Sequence, residues 1–279
     1  MKKHKICKIL LVILAVFLCV AFYELLGICV AYKKQPEVSN TTKKETKNGS
    51  WNECSENTER AVIIEKNPEA LLQRVRLIKN AKKEIILSTF AFQSDESGKL
   101  ILGALHDAAD RGVHIRLLVD GMESWIDMEG NPYFYGLSSH ENVEIKLYNK
   151  ANPLKPWKMM GRMHDKYLIA DGKRYILGGR NTYNYFLGDF PGHKNYDRDV
   201  LVVCDEPEKE NSVNQLSEYF ETIWEQEDSG YFHDNKKLAN RKSVKNAVLE
   251  LQNGYQKYFE ENKERICDTD YTDDTFETE

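Results

Sequence analysis

The chain is poor in cysteine and has no surplus of positive charge. Six cysteines among 279 residues, with no CxxC pair and no cysteine–histidine spacing of the zinc-finger kind, exclude a disulfide scaffold and a structural zinc module. The composition is neither disordered nor collagen-like. The net charge is −5, and the first 32 residues hold four lysines and one glutamate, so the remainder carries −8. A surface basic all over, built for polyanions, is excluded, while a local basic pocket is not. Six acids crowd the last twelve residues and read as a solvated, frayed tail from Asp268 onward. With 41% hydrophobic and 30% charged residues, there is material for one sizeable core.

Residues 9–32 form a 24-residue apolar run broken by Glu24 alone. At about 1.5 Å per residue this crosses a hydrocarbon core of roughly 30 Å. Residues 1–32 therefore read as a single-pass membrane anchor. Lys2, Lys3, Lys5 and Lys8 precede the run, whereas Lys33 and Lys34 follow it, so the positive-inside rule puts the N-terminus in the cytoplasm and the rest of the chain on the extracytoplasmic side of the cell membrane. A cleaved signal peptide is the alternative, but the apolar run is long for one and lacks an AxA-like site. Cys29 does not suit a lipoprotein cysteine, because Ile28 stands where a small residue is needed.

Residues 33–59 are polar and read as a tether. Pro68 begins an amphipathic helix reaching about Lys82, with Leu71, Val75 and Ile78 at helical spacing. Glu84 to Phe92 reads as a strand, Gly98 to Arg111 as a helix with Ile101, Ala104, Leu105 and Ala108 on one face, and Val113 to Val119 as a second strand. Strand, helix, strand implies a parallel pair. A loop with Gly130, Pro132 and Gly136 leads to a strand at Val143 to Tyr148. Strands at Met163 to Ala170 and Arg174 to Leu177 flank a hairpin turn at Asp171 and Gly172. Asp199 to Cys204 is a further strand, and Pro207 to Glu225 and Asn235 to Arg265 read as helices. The fold class is α/β, a mixed β-sheet flanked by helices and preceded by an N-terminal transmembrane helix. The domain carrying the chemistry covers 60–230, and 231–279 is a C-terminal helix with an acidic tail.

In a strand beginning at Met163, His164 and Lys166 share a face, so an imidazole and an ammonium are presented together. The hairpin returns Gly178, Gly179 and Asn181 to the same end. Glycines permit close backbone approach to an oxyanion and Asn181 can donate to it, which suggests a phosphate cradle. Asp171 falls in the turn, where its carboxylate can fix the hairpin. Between Lys150 and Arg198 there are ten basic residues and four aspartates, a local charge of +6. Trp157, Met159 and Met160, just before the motif, are either packing around the sheet or an apolar lip that dips into a bilayer. His193 and Lys194, in a Pro-Gly loop, read as exposed, and Cys204 as a buried strand residue. Cys54 and Cys267 flank the domain, and either a disulfide or two free thiols suits them.

His164, Lys166, Asp171, Gly178, Gly179 and Asn181 fit the pattern HxKxxxxDxxxxxxG[GS]xN, and with it the sequence resembles the phospholipase D superfamily. The resemblance covers roughly Pro68 to Tyr231 and is nearest to the bacterial cardiolipin synthase branch. It implies a helix-flanked sheet and a reaction using neither metal nor cofactor. His164 is then the nucleophile that forms a phosphohistidine, and Lys166, Gly178, Gly179 and Asn181 bind the phosphate. Asp171 joins the catalytic motif. A carboxylate orients the imidazole, with Asp199 favoured over Asp197.

Such enzymes combine two motifs, and this chain holds one. The second histidine, the general acid, must come from another chain: a homodimer partner, a heteromeric HKD-containing partner, or none if the chain is an inactive remnant. The reading that follows is a membrane-bound phosphodiesterase or phosphatidyltransferase acting on phospholipids in the manner of a cardiolipin synthase. The alternatives are an endonuclease, disfavoured by the charge of −8 and the absence of an aromatic and basic groove pattern, and a catalytically silent lipid-binding or interaction subunit.

Overall fold

A computed structural model of the chain describes residues 2–33, 40, 43, 44, 59–204, 211–233, 236–271 and 276–277. Most of the expected tether, Cys54 and much of the acidic tail lie outside the described residues, while Cys267 is an exposed free thiol. Two compact units are distinguished, one of residues 1–55 with 151–162, the other of residues 56–150 with 163–279.

The first unit contains the helix α1 (Lys2–Lys33). Its stretch His4–Ala31 is long and apolar enough to cross a membrane. The segment 151–162 lies against the C-terminal part of this helix, with a short 3-10 turn at Pro156–Lys158. Trp157, Met159 and Met160 therefore belong to the same unit as α1.

The second unit begins with β1 (Glu59–Ile64), α2 (Asn67–Asn80), β2 (Glu84–Thr89), α3 (Glu96–Asp110) and β3 (His114–Asp120). Pro68 stands in the first turn of α2, where its missing N–H costs no hydrogen bond. Asp95 caps α3 by accepting from Gly98 N at 3.0 Å. Two short helices, α4 (Gly121–Asp127) and α5 (Pro132–Ser138), occupy the stretch expected as loop, each started by a side-chain cap from Asp120 or Asn131. Then come β4 (Val143–Tyr148), β5 (Lys166–Ala170), β6 (Arg174–Gly178), β7 (Asp199–Cys204), α6 (Ser212–Trp224), β8 (Ser229–Tyr231), α7 (Lys236–Ala239), α8 (Lys242–Glu261), α9 (Lys263–Cys267) and β9 (Phe276–Glu277).

The strands form one mixed sheet in the order β8-β4-β3-β2-β5-β6-β7-β1-β9. β2, β3 and β4 are mutually parallel, as the strand-helix-strand pattern predicts, while β5, β6, β7 and β1 run antiparallel to their neighbours. Alternation then builds two cores. Ile85, Leu87, Leu168 and Ala170 face the cluster shared with α2, α3 and α8, and Ile86, Tyr167 and Ile169 face the cluster closed by Phe220 and Trp224 of α6.

The acidic end is not simply frayed at its start. Arg76 binds the Asp268 carbonyl and carboxylate at 2.9 Å, and its guanidinium lies 3.9 Å from the centre of the buried Tyr271 ring. That contact desolvates the tyrosine and fixes the first residues after α9.

Candidate active site

The strand carrying the motif starts later than alternation predicts. Met163, His164 and Asp165 precede β5, and tertiary hydrogen bonds hold them instead of ladder pairing. Met163 N donates to Asp120 Oδ2 at 3.0 Å, and the Tyr219 hydroxyl donates to Asp165 Oδ2 at 2.9 Å. Asp120 is buried, and its other oxygen caps α4 through Met122 N and Glu123 N. One carboxylate thus joins the C-terminal end of β3, the start of α4 and the residue before His164.

His164 and Lys166 nevertheless converge. Lys166 pairs with Thr89 in the ladder, is 5% exposed, and donates from Nζ to the His164 carbonyl at 2.6 Å. The His164 side chain is exposed, and its ring centre lies 4.6 Å from that of Phe90. Lys166 Nζ lies 5.2 Å from the same Phe90 centre. Burial holds the Lys166 ammonium below the ordinary lysine value, opposed by the charges of Asp165 and Asp197. A phosphoryl oxygen arriving beside it would replace part of the lost hydration.

Asn181 reaches the same place from β6. Its Oδ1 accepts from Ala91 N at 3.3 Å, and a backbone amide can face only the oxygen, so Nδ2 remains as a donor. Imidazole, ammonium and amide therefore gather at Thr89–Ala91, the exit of β2. Sequence patterning did not single out Phe90 or Asp120. Phe90 read as one more residue of the strand expected at Glu84 to Phe92, and Asp120 acts from 43 positions before Met163.

The other sequence-derived residues have different positions. Gly178 and Gly179 make room for carboxylates: a Cβ on the first would overlap Asp199, and one on the second would overlap Asp197. Both glycines are half-buried, and what the structure shows at the positions read as a phosphate cradle is this close approach of two carboxylates. Asp199, favoured as the orienting acid, is 2% exposed and binds Arg74 Nη1 at 2.9 Å and Arg180 Nη1 at 3.3 Å. Its partners are these two buried guanidiniums, not the His164 ring. Arg180 also donates to Ile64 O at 3.1 Å, Glu65 O at 2.6 Å and Asn67 Oδ1 at 3.2 Å, so the arginine inside the motif joins β6 to the β1–α2 corner. Of Asp197 and Asp199, it is Asp197 whose charge reaches Lys166, together with that of Asp165.

Asp171 stands at the opposite end of β5 from His164. It and Gly172 take the left-handed backbone of a tight hairpin, at φ of 56° and 61°. Its carboxylate accepts from Lys82 N at 2.9 Å, Lys83 N at 2.7 Å and Glu84 N at 3.0 Å. It ties the hairpin to the start of β2 and is not among the groups beside His164. The local +6 is likewise dispersed. Arg180 is internal, Arg198 faces Glu65 at 3.1 Å, Lys194 binds Asn184 O at 2.7 Å and Lys150 binds the Tyr231 carbonyl. His193 lies exposed against Tyr185, with ring centres 5.2 Å apart.

A family model described as cardiolipin synthase, PLD-like domain, matches residues 74–224, just over half of the chain. An uncharacterised protein of Helicobacter pylori (strain J99) is 31% identical over 212 residues, covering 71% of this chain and 39% of that protein. Cardiolipin synthase C of Escherichia coli (strain K12) is 29% identical over 171 residues, covering 56% of this chain and 34% of that protein. The chain thus spans less than two fifths of either relative. Among solved structures, NucT from Helicobacter pylori aligns with a TM-score of 0.49 at 17% identity, over 62% of this chain and 99% of that one. With the whole 164–181 motif inside the matched span, the chain belongs to the cardiolipin synthase, phospholipase D-like domain family.

Proposed function

We propose that the chain is a membrane-anchored phosphodiesterase or phosphatidyltransferase acting on phospholipids. The observation that carries this reading is the meeting of an exposed His164 ring, the buried Lys166 ammonium and the Asn181 amide at the exit of β2. The imidazole is open to attack an incoming phosphorus, and the two donors suit its nonbridging oxygens. His164 forms the N–P bond, the P–O bond to the headgroup breaks, and the departing oxygen takes a proton from a second imidazole. That imidazole then removes a proton from water or a lipid alcohol, which attacks phosphorus and releases His164. Water yields phosphatidic acid, and phosphatidylglycerol as acceptor yields cardiolipin.

One copy of the motif supplies one imidazole, so the site is completed by a second motif-bearing chain, and a two-fold homodimer is the simplest arrangement. The helix at His4–Ala31 is the anchor, and the basic residues before it favour an extracytoplasmic catalytic domain.

The full chain, purified in detergent and returned to vesicles, is to be given labelled phosphatidylglycerol and, separately, single-stranded DNA. Phosphatidylglycerol turnover that disappears in His164→Ala supports the reading, whereas DNA cleavage alone, or neither activity, overturns it. Excess His164→Ala chain reconstituted with a fixed dose of wild type is expected to suppress turnover. Undiminished turnover rejects the shared site.

A further inference from the structure

The helix α1 is longer than a bilayer requires. About 20 residues span the hydrocarbon core, so a span starting at Ile9, just after Lys8, ends near Ile28. Tyr23 and Gly27 therefore sit in the last turns before the headgroups, where tyrosine is favoured and a carboxylate such as Glu24 can reach water. The segment 151–162 docks on these turns. Tyr23 donates its hydroxyl to the Leu154 carbonyl at 2.9 Å. Pro156, itself buried, sits so close to the buried Gly27 that a Cβ there would run into its ring.

The remainder of the segment is unusual for a loop in water. Leu154, Trp157 and Met160 are 78%, 45% and 49% exposed, apolar surface that transfer out of water favours. Lys155, Lys158 and Arg162 alternate with them, and Ala151–Arg162 contains no acid. Apolar tips among basic residues, continuous with the apolar flank of a helix, have the composition that seats a segment in an anionic lipid interface.

We propose that loop 151–162 is an interfacial wedge. Leu154, Trp157 and Met160 enter the acyl layer of the leaflet that holds the C-terminal end of α1, and the basic residues meet the headgroup phosphates. The chain runs from Arg162 directly into Met163 and His164, so at most about 7 Å of backbone separates the last residue of the loop from the nucleophile, and at most about 14 Å separates Met160 from it. The substrate is accordingly a phospholipid still resident in the leaflet, not a phosphodiester dissolved in water. The substrate statement rests on the proposed function, but the wedge does not.

The test uses the full chain in vesicles of phosphatidylglycerol and phosphatidylcholine brominated along the acyl chains. The emission lost in Trp157→Phe is the Trp157 signal, and at least twofold quenching of that signal by the bromines is expected. A Trp157 signal that no brominated lipid quenches overturns the wedge. Gly27→Leu, which displaces Pro156, is expected to reduce the quenching, and quenching at the wild-type level in that variant overturns the docking. For the substrate, Leu154→Ser/Trp157→Ser/Met160→Ser is compared with wild type on vesicles and on monomeric short-chain phosphatidylglycerol. The vesicle rate is expected to fall at least tenfold relative to the short-chain rate, and an unchanged ratio overturns the leaflet-resident substrate. Should wild type turn over neither lipid, the proposed function fails and the bromine experiment still decides the wedge.

Discussion

Lys166 and His164 meet on one aromatic ring. The imidazole centre is 4.6 Å and the ammonium 5.2 Å from the centre of Phe90, which links two motif residues through a side chain outside the motif. A cation over an aromatic face gains about 0.5–2 kcal/mol depending on its hydration, and a displacement of about 1 Å in a reacting group can cost 10²-fold in rate. Phe90→Ala is expected to lower kcat by about 10- to 100-fold with a smaller change in KM. Phe90→Leu, which keeps an apolar support without the ring face, should recover part of the loss. Steady-state kinetics on both variants check this, and a wild-type kcat in Phe90→Ala rejects the platform.

The charge state of Lys166 sets a second expectation. Burial lowers its pKa, and Asp165 and Asp197 push it back up. The charged form binds the phosphoryl oxygens, so activity is lost as pH rises through the Lys166 pKa. Asp197→Asn removes one raising influence, the pKa falls further, and the alkaline limb of kcat/KM moves to lower pH. A profile measured from pH 6 to 11 decides the matter, since a limb that stays in place or moves upward contradicts the assignment.

Asp199 yields a prediction about folding. It stands between Arg74 and Arg180, all three at most 4% exposed. Removing one member of a buried ion cluster strands the others without compensation, at a cost of about 3–5 kcal/mol. Asp199→Asn should therefore lower stability by that order, and Arg74→Met/Asp199→Asn should cost less than the two single changes added together. Urea denaturation measures all three. If Asp199→Asn unfolds at the wild-type midpoint but turns over slowly, the acid acts on the site and its structural role is rejected.

These residues show where the sequence was legible. Periodicity of two located β2, β3, β4 and β7, and helical spacing located α2 and α3, because those signals come from burial on one face and need only neighbouring residues. The motif brought together His164, Lys166 and Asn181 because β2, β5 and β6 are in ladder register, with Lys166 starting β5 and His164 and Asn181 just outside the strand ends on that side. Asp171 was legible as the turn residue that fixes the hairpin, but the partners of Asp171, Asp199 and the two glycines were not, because those of Asp171 and Asp199 are distant in the chain. The amides that Asp171 accepts from lie 87 to 89 positions away, and Arg74 lies 125 positions from Asp199. β1 and β8 carried too weak a local pattern, since β1 is defined by pairing with β7 and β8 has three residues on β4. A carboxylate beside a glycine reads locally as a turn or a ligand site, and only tertiary structure shows that the glycine was needed to admit it.

The glycine pair separates these alternatives directly. A methyl group on Gly178 meets the buried Asp199 carboxylate, the Arg198 carbonyl and the Asp199 Cα, none of which is the free end of a flexible chain. A methyl group on Gly179 meets only the carboxylate of Asp197, which is partly exposed and has room to turn. Gly178→Ala should thus cost about 1–3 kcal/mol as an overpacked site, and Gly179→Ala should cost about 1 kcal/mol or less. In exchange, Gly179→Ala should move the alkaline limb of the pH profile in the same direction as Asp197→Asn, because it drives that charge away from Lys166. Were the glycines a backbone cradle for phosphate, both variants would raise KM alike with stability unchanged, and denaturation curves with pH profiles on the pair distinguish the two accounts.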